Sequence, residues 1–177
     1  MHAPRKQLKM ALEAHLLPVL FAAGFDGPRS FAGHSLTYDY RRLDGDTYRF
    51  LTVQFEKHGG PKFRLNFSAA TPASIEQRFR TSVADDMLRE PFGEMRGSLH
   101  PTRVPYFKLF TWFGGGSADH VAKRSANLYP EIERWWRERI VGAHLWIPER
   151  VFPNSRRPNK SQGRVKSADL KFGNDPK

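Results

Sequence analysis

The sequence predicts an α+β fold: an antiparallel meander sheet of three to five strands, packed by an N-terminal helix and a C-terminal helical segment. Three observations carry that prediction. Residues 30–69 hold three consecutive strand-like runs divided by turn residues, a helically spaced apolar stripe precedes them at residues 6–23, and another follows at 118–141. Strands gathered together, instead of alternating with helices, mark an α+β arrangement.

In the first helix, Leu8, Leu12, His15/Leu16 and Val19/Leu20 share one face, at the 3.6-residue period of a half-buried helix. Pro18 lacks an amide donor, so it kinks this helix or opens a fresh first turn. Gly24 caps the end, and Phe25 is expected to fold back onto the helix. The three strands are Ser30–Arg42, Tyr48–Lys57 and Lys62–Ala69, punctuated by Asp44-Gly45-Asp46 and Gly59-Gly60-Pro61. Such turn residues tolerate or preset the backbone angles a reversal needs. Leu51, Val53 and Phe55 alternate with Thr52, Gln54 and Glu56, and Phe63, Leu65 and Phe67 alternate with Arg64, Asn66 and Ser68. A period of two gives the sheet one buried and one wet face. Burying the six apolar side chains contributes roughly 9–18 kcal/mol.

From Thr71 to Gly116 the pattern weakens. Ser82 to Asp85 has the spacing of a capping box, with Asp in place of Glu, opening a short helix that stops near Pro91. Gly93–His100 reads as a strand or an irregular crossing, and Tyr106–Phe113, apolar on both faces, as a doubly buried strand. Gly114-Gly115-Gly116 is a connector, Ser117 an N-cap, and Pro130 the restart of a second helical segment, Glu131–Val141. Val121, Ser125, Leu128, Ile132, Trp135/Trp136 and Ile140 form the stripe. Adjacent tryptophans cannot both face one core, so one is expected inside and the other on a rim or partner surface.

At 177 residues, 39% hydrophobic and 13% aromatic, the chain suits one α+β domain over residues 1–147 followed by a flexible basic tail, 148–177. The formal charge is +11, of which the tail supplies +5 from eight Lys/Arg against three Asp/Glu, leaving +6 for the rest. A polyanionic partner must therefore be considered. The absence of cysteine removes disulfides and thiolate metal sites. No apolar run approaches the ~18 residues of a membrane span, and the N-terminus lacks a clean apolar core with a cleavage site. A cytoplasmic protein without a membrane partner is expected.

The chemistry-bearing motifs are partial. Gly33-His34-Ser35 begins like a hydrolase nucleophile elbow, but Thr37 stands where glycine is needed and Ser35 opens a strand. The seven histidines show no H-x-x-x-H spacing. Glu56 and Lys57 are adjacent and point to opposite sides of a strand, which spoils a nuclease metal site; Asp39 and Glu56 remain able to meet across a strand pair. Asp85, Asp86, Glu90 and Glu94 read as a helix cap and solvated face. Lys62 to Phe67 interleaves basic, polar and aromatic groups as a base-stacking sheet would, yet its aromatic face is needed for the core. No catalytic residue, metal site or cofactor is assigned.

The order of elements resembles a bacterial family known only as a domain of unknown function, DUF4304. The resemblance rests on Val19-Leu20-Phe21-Ala22-Ala23-Gly24-Phe25 closing the first helix, Phe31 opening a strand, Val53-Gln54-Phe55-Glu56-Lys57-His58-Gly59, and Phe63-Arg64-Leu65-Asn66. It covers about residues 8–70, with a looser match at Arg96-Gly97-Ser98-Leu99 and the last helix. It implies a bacterial cytoplasmic protein and the α+β fold, and supplies no activity or site.

The expected function is a non-enzymatic module that binds another macromolecule, with a protein favoured, through the polar sheet face carrying Thr52, Gln54, Glu56, Arg64 and Asn66. The alternative is nonspecific nucleic-acid binding through Arg156, Arg157, Lys160, Arg164 and Lys166 of the tail. A hydrolase built on Ser35 or on Asp39 and Glu56 ranks third. The sequence leaves the oligomeric state open.

Overall fold

The computed structural model describes residues 3–33, 35–79, 95–101, 106–109 and 117–148. Helices α1 (Ala3–His15) and α2 (Leu17–Ala22) lead into the meander β1 (Thr37–Asp44), β2 (Thr47–Phe55) and β3 (Lys62–Ala70). Then come α3 (Pro72–Phe79), β4 (Met95–Leu99), β5 (Phe107–Lys108), α4 (Ala118–Glu138) and β6 (Leu145–Trp146). The sheet is antiparallel in the order β1-β2-β3-β4-β6, and β5 joins β3 beyond the end of β4. The fold is α+β, as the sequence predicts.

The register of the meander follows the period-two pattern. Leu51 lies opposite Phe67, Val53 opposite Leu65 and Phe55 opposite Phe63, and all six are at most 2% exposed. They meet Leu8, Leu12, Leu20, Ile132, Trp135 and Trp136 in one core between the sheet and helices α1, α2 and α4. Pro18 stands in the first turn of α2. Gly24, at φ 83°, ends that helix and turns Phe25 into the core. Phe25 meets α4 there, with ring centroids 6.4 Å from Tyr129 and 5.9 Å from Trp136.

Five local expectations are corrected. The first strand begins at Thr37, not Ser30, because the backbone before it is spent on α1. The buried Lys9 ammonium donates to the carbonyls of Phe31 (2.7 Å) and Gly33 (3.3 Å) and to the Tyr38 hydroxyl (2.8 Å), while Phe31 N–H donates to Glu13. These partners use all three donors of the ammonium.

Helix α4 is continuous through Pro130. An interior proline forfeits one hydrogen bond and crowds the preceding turn, but this one lies on the exposed face while Tyr129, Ile132, Trp135 and Trp136 anchor both flanks. Both tryptophans are buried, at 1% and 2% exposure. The Phe67 ring lies against both, 5.1 Å from Trp135 and 6.0 Å from Trp136, so one sheet residue serves two helix positions. The stripe ends early: Arg139 takes a left-handed cap at φ 59° and Ile140 is 42% exposed.

The doubly buried strand is also corrected. Phe107 and Leu109 are buried, with Phe107 stacked on Phe63 at 5.0 Å, but Lys108 is exposed and Tyr106 half-buried. Phe110 to Phe113 lie outside the described residues, as do His34, the Ser82–Asp85 box, Asp86, Glu90, Glu94, the triple glycine and the tail basic residues.

Helix α3 was not anticipated. Its signal is Thr71-Pro72: the Thr71 hydroxyl accepts from Ser74 N–H (3.2 Å) as an N-cap, and proline fills the first helical position. Ile75 packs on Phe50 and Ala70 in a small second cluster on the other side of the sheet, edged by Tyr48.

Candidate functional site on the outer sheet face

The outer face is the side of the sheet away from the main core. Alternation from the buried row places Asp39, Thr52, Asn66 and Ser98 in one cross-strand row, with Trp146 beside Ser98 on β6. Gln54 and Arg64 pair in the next row. All five residues expected from the sequence to bind a partner therefore lie on this face. Four of them are held by neighbours on it: Thr52 donates to Asp39 (2.6 Å), the Asn66 amide donates to Gln54 (3.0 Å), and Glu56 pairs with Lys62 (3.2 Å) while accepting from Gly60 N–H (3.0 Å). The Lys62 hydrogen bond, with the Gly60 amide, holds the Glu56 carboxyl below its ordinary range.

The face is less open than its polarity implies. Thr52, Ser68 and Ser98 are 4%, 0% and 6% exposed, and α3 occupies the end near Phe50. The half-exposed part is the opposite end, with Gln54, Glu56, Lys62 and Arg64.

Sequence reasoning missed four residues there: Ser98, His100, Tyr106 and Trp146. Strand β4 leaves β3 at Leu65 and β5 takes over at Phe63, so Arg64 sits at the joint. From the β6 edge a continuous strip crosses that joint. Trp146, 52% exposed, stacks on His100 with centroids 6.2 Å apart and planes 7° apart. Arg64 lies 5.3 Å and Lys62 5.0 Å from the centre of the Tyr106 ring. The Arg64 Nε is buried without a hydrogen-bond acceptor. Two signals were legible: the Ser98-Leu99-His100 alternation, and Trp146 between the apolar Leu145 and Ile147.

His100 Nε2 and the Ser98 hydroxyl are 2.8 Å apart. Burial, and then the charge of Arg64, push the imidazole below its ordinary 6.5. The neutral ring and the Ser98 hydroxyl share this hydrogen bond. Because the folded-state value is depressed, this contribution to stability is present above 6.5 and lost as pH falls toward the folded value. Urea midpoints for the native chain and His100→Gln should therefore converge as pH drops from 7.5 to 5.5. A constant separation would deny that His100 titrates abnormally.

The other candidates are not assembled. Ser35 is exposed and donates to its own neighbour's carbonyl, Thr37 O (2.7 Å), as a local turn. Asp39 lies opposite Thr52, four residues along β2 from Glu56, so the two carboxylates do not meet. Among the described residues no group of three or more His, Asp or Glu is placed to hold a metal ion, and no helix is long and apolar enough to cross a membrane. His15 pairs with Asp119 (3.1 Å) on the rim between α1 and α4.

Fold and face together define an α+β sheet protein with helices over one side and an anchored polar, cationic and aromatic surface on the other. Comparison with protein-family models, with curated proteins and with solved structures finds no match to this chain.

Proposed function

We propose that the chain is a non-enzymatic binding module that engages a macromolecular partner through the half-exposed end of its outer sheet face. The observation that supports this most is the strip itself. Trp146 stands half in solvent against His100, and farther along the strip the half-exposed Arg64 lies against the Tyr106 ring. Tryptophan, tyrosine and arginine in partly desolvated positions are the side chains that dominate binding surfaces. The surrounding polar groups bond to one another, so little ordering remains to be done on binding. Kinship with DUF4304 and a bacterial cytoplasmic setting belong to the same proposal and rest on the short motifs of residues 8–70.

The test is capture by the immobilised 177-residue chain from cell extract, with and without nuclease, compared with Arg64→Glu/Trp146→Ala. Glu56 is left intact because it holds the Gly60 turn and Lys62. The double variant should lose the captured species while melting within a few degrees of the native chain. Identical capture by both proteins would remove the outer face from the function.

A second reading follows from the tail, whose eight Lys/Arg against three Asp/Glu make it a polyanion attractor. Replacing Arg156, Arg157, Lys160, Arg164 and Lys166 with glutamine would then abolish capture and its salt dependence, with the sheet face untouched.

A further inference from the structure

We infer that the strip Trp146–His100–Arg64–Tyr106–Lys62 is a stacking platform for single-stranded nucleic acid, with bases on Trp146 and Tyr106 and phosphates along Arg64, Lys62 and Lys108. The inference rests on the binding-module reading above and names its partner. It reverses the sequence-level preference for a protein, because the surface aromatic groups come from segments whose placement the sequence left open. The interleaved run Lys62–Phe67 sends Phe63, Leu65 and Phe67 into the core. Only its cationic and polar members, Lys62, Arg64 and Asn66, reach the outer face, and there β5 and β6 return two new rings beside them.

The chemistry fits an unpaired strand better than the other polymers. Every base offers a π face, so one aromatic ring serves any sequence, and a neighbouring guanidinium or ammonium serves the phosphate. A duplex keeps its bases stacked inside and would leave Trp146 without a role. Charge agrees: the chain carries +11, and among the described residues at this end Lys62, Arg64 and Lys108 outnumber Glu56, which pairs with Lys62. Lys108, exposed, lies directly across from Lys62 on β5 and extends the cationic track.

The experiment is fluorescence anisotropy of the full chain with labelled oligonucleotides of equal phosphate count: mixed-sequence single-stranded RNA, single-stranded DNA and duplex DNA, across a salt series. Single strands should bind more tightly than duplex. Trp146→Ala and Tyr106→Ala should each weaken single-strand binding by about 5- to 100-fold and leave duplex binding unchanged, so that the preference disappears. Trp146→Phe should keep most of the affinity but lose part of the fluorescence quenching that stacking produces. Melting curves for each variant separate loss of the platform from loss of the fold. Equal binding of single strand and duplex, indifferent to both aromatic substitutions and removed by the tail glutamines, would overturn the inference in favour of tail electrostatics. Absence of single-strand binding would also overturn it. If Arg64→Glu/Trp146→Ala then still abolished capture of a nuclease-resistant partner, the binding-module reading would stand with a protein in the nucleic acid's place.

Discussion

Leu65→Asp should leave no cooperatively folded protein. Leu65 is 0% exposed and sits on the central strand, opposite Val53 on one side and Leu99 on the other. The substitution removes an apolar side chain worth about 1.5–3 kcal/mol of burial and places a carboxylate where nothing apolar can satisfy it. A carboxylate without a partner costs several kcal/mol more, or is protonated to avoid the charge. Together these approach the whole stability of an ordinary domain, about 5–15 kcal/mol. Circular dichroism and thermal melting should show no native transition at pH 7. A soluble variant melting like the native chain would mean that Leu65 faces solvent, and the register of β3 would be wrong by one residue.

Gly97→Val should cost about 3 kcal/mol or more, at the upper end of what overpacking a core does. Gly97 needs no unusual backbone angle; what it needs is room. A methyl at this position would fall 2.5 Å from Phe67 Cζ and 2.5 Å from Ile147 Cδ1. Phe67 cannot yield, because its ring is held against Trp135 and Trp136 and is itself 0% exposed. Valine is favoured in strands, so propensity predicts the opposite sign. The urea midpoint of Gly97→Val should fall with an unchanged slope. A midpoint equal to or above that of the native chain would show that Phe67 and Ile147 do not press on this strand.

The contrast between these two positions shows where local pattern suffices. Leu65 belongs to an alternation that names its own face, since successive strand residues point to opposite sides whatever lies beyond them. The same holds for Leu51, Val53, Phe55, Phe63 and Phe67, and for the apolar faces of α1 and α4. The caps are equally local: Ser117 accepts from His120 N–H (3.2 Å), Gly24 supplies a positive φ, and Pro18 opens α2. Gly97 shows nothing of its role until Phe67 is laid across it from another strand.

Length, composition and period-two alternation determined the meander, its register and the α+β class, because those depend on contacts within a few residues or between consecutive strands. The five outer-face residues Thr52, Gln54, Glu56, Arg64 and Asn66 followed from that register alone. Tertiary structure decided the rest through partners distant in sequence. Lys9 reaches 22 residues forward to hold Phe31 and delay the first strand. Phe67 draws both tryptophans of α4 inward, and Ile75 closes one end of the outer face. The candidate platform is of this second kind. Trp146, His100, Arg64 and Tyr106 come from β6, the residue after β4, β3 and the residue before β5, and they form one surface only because β4 and β5 divide a single edge of β3 between them.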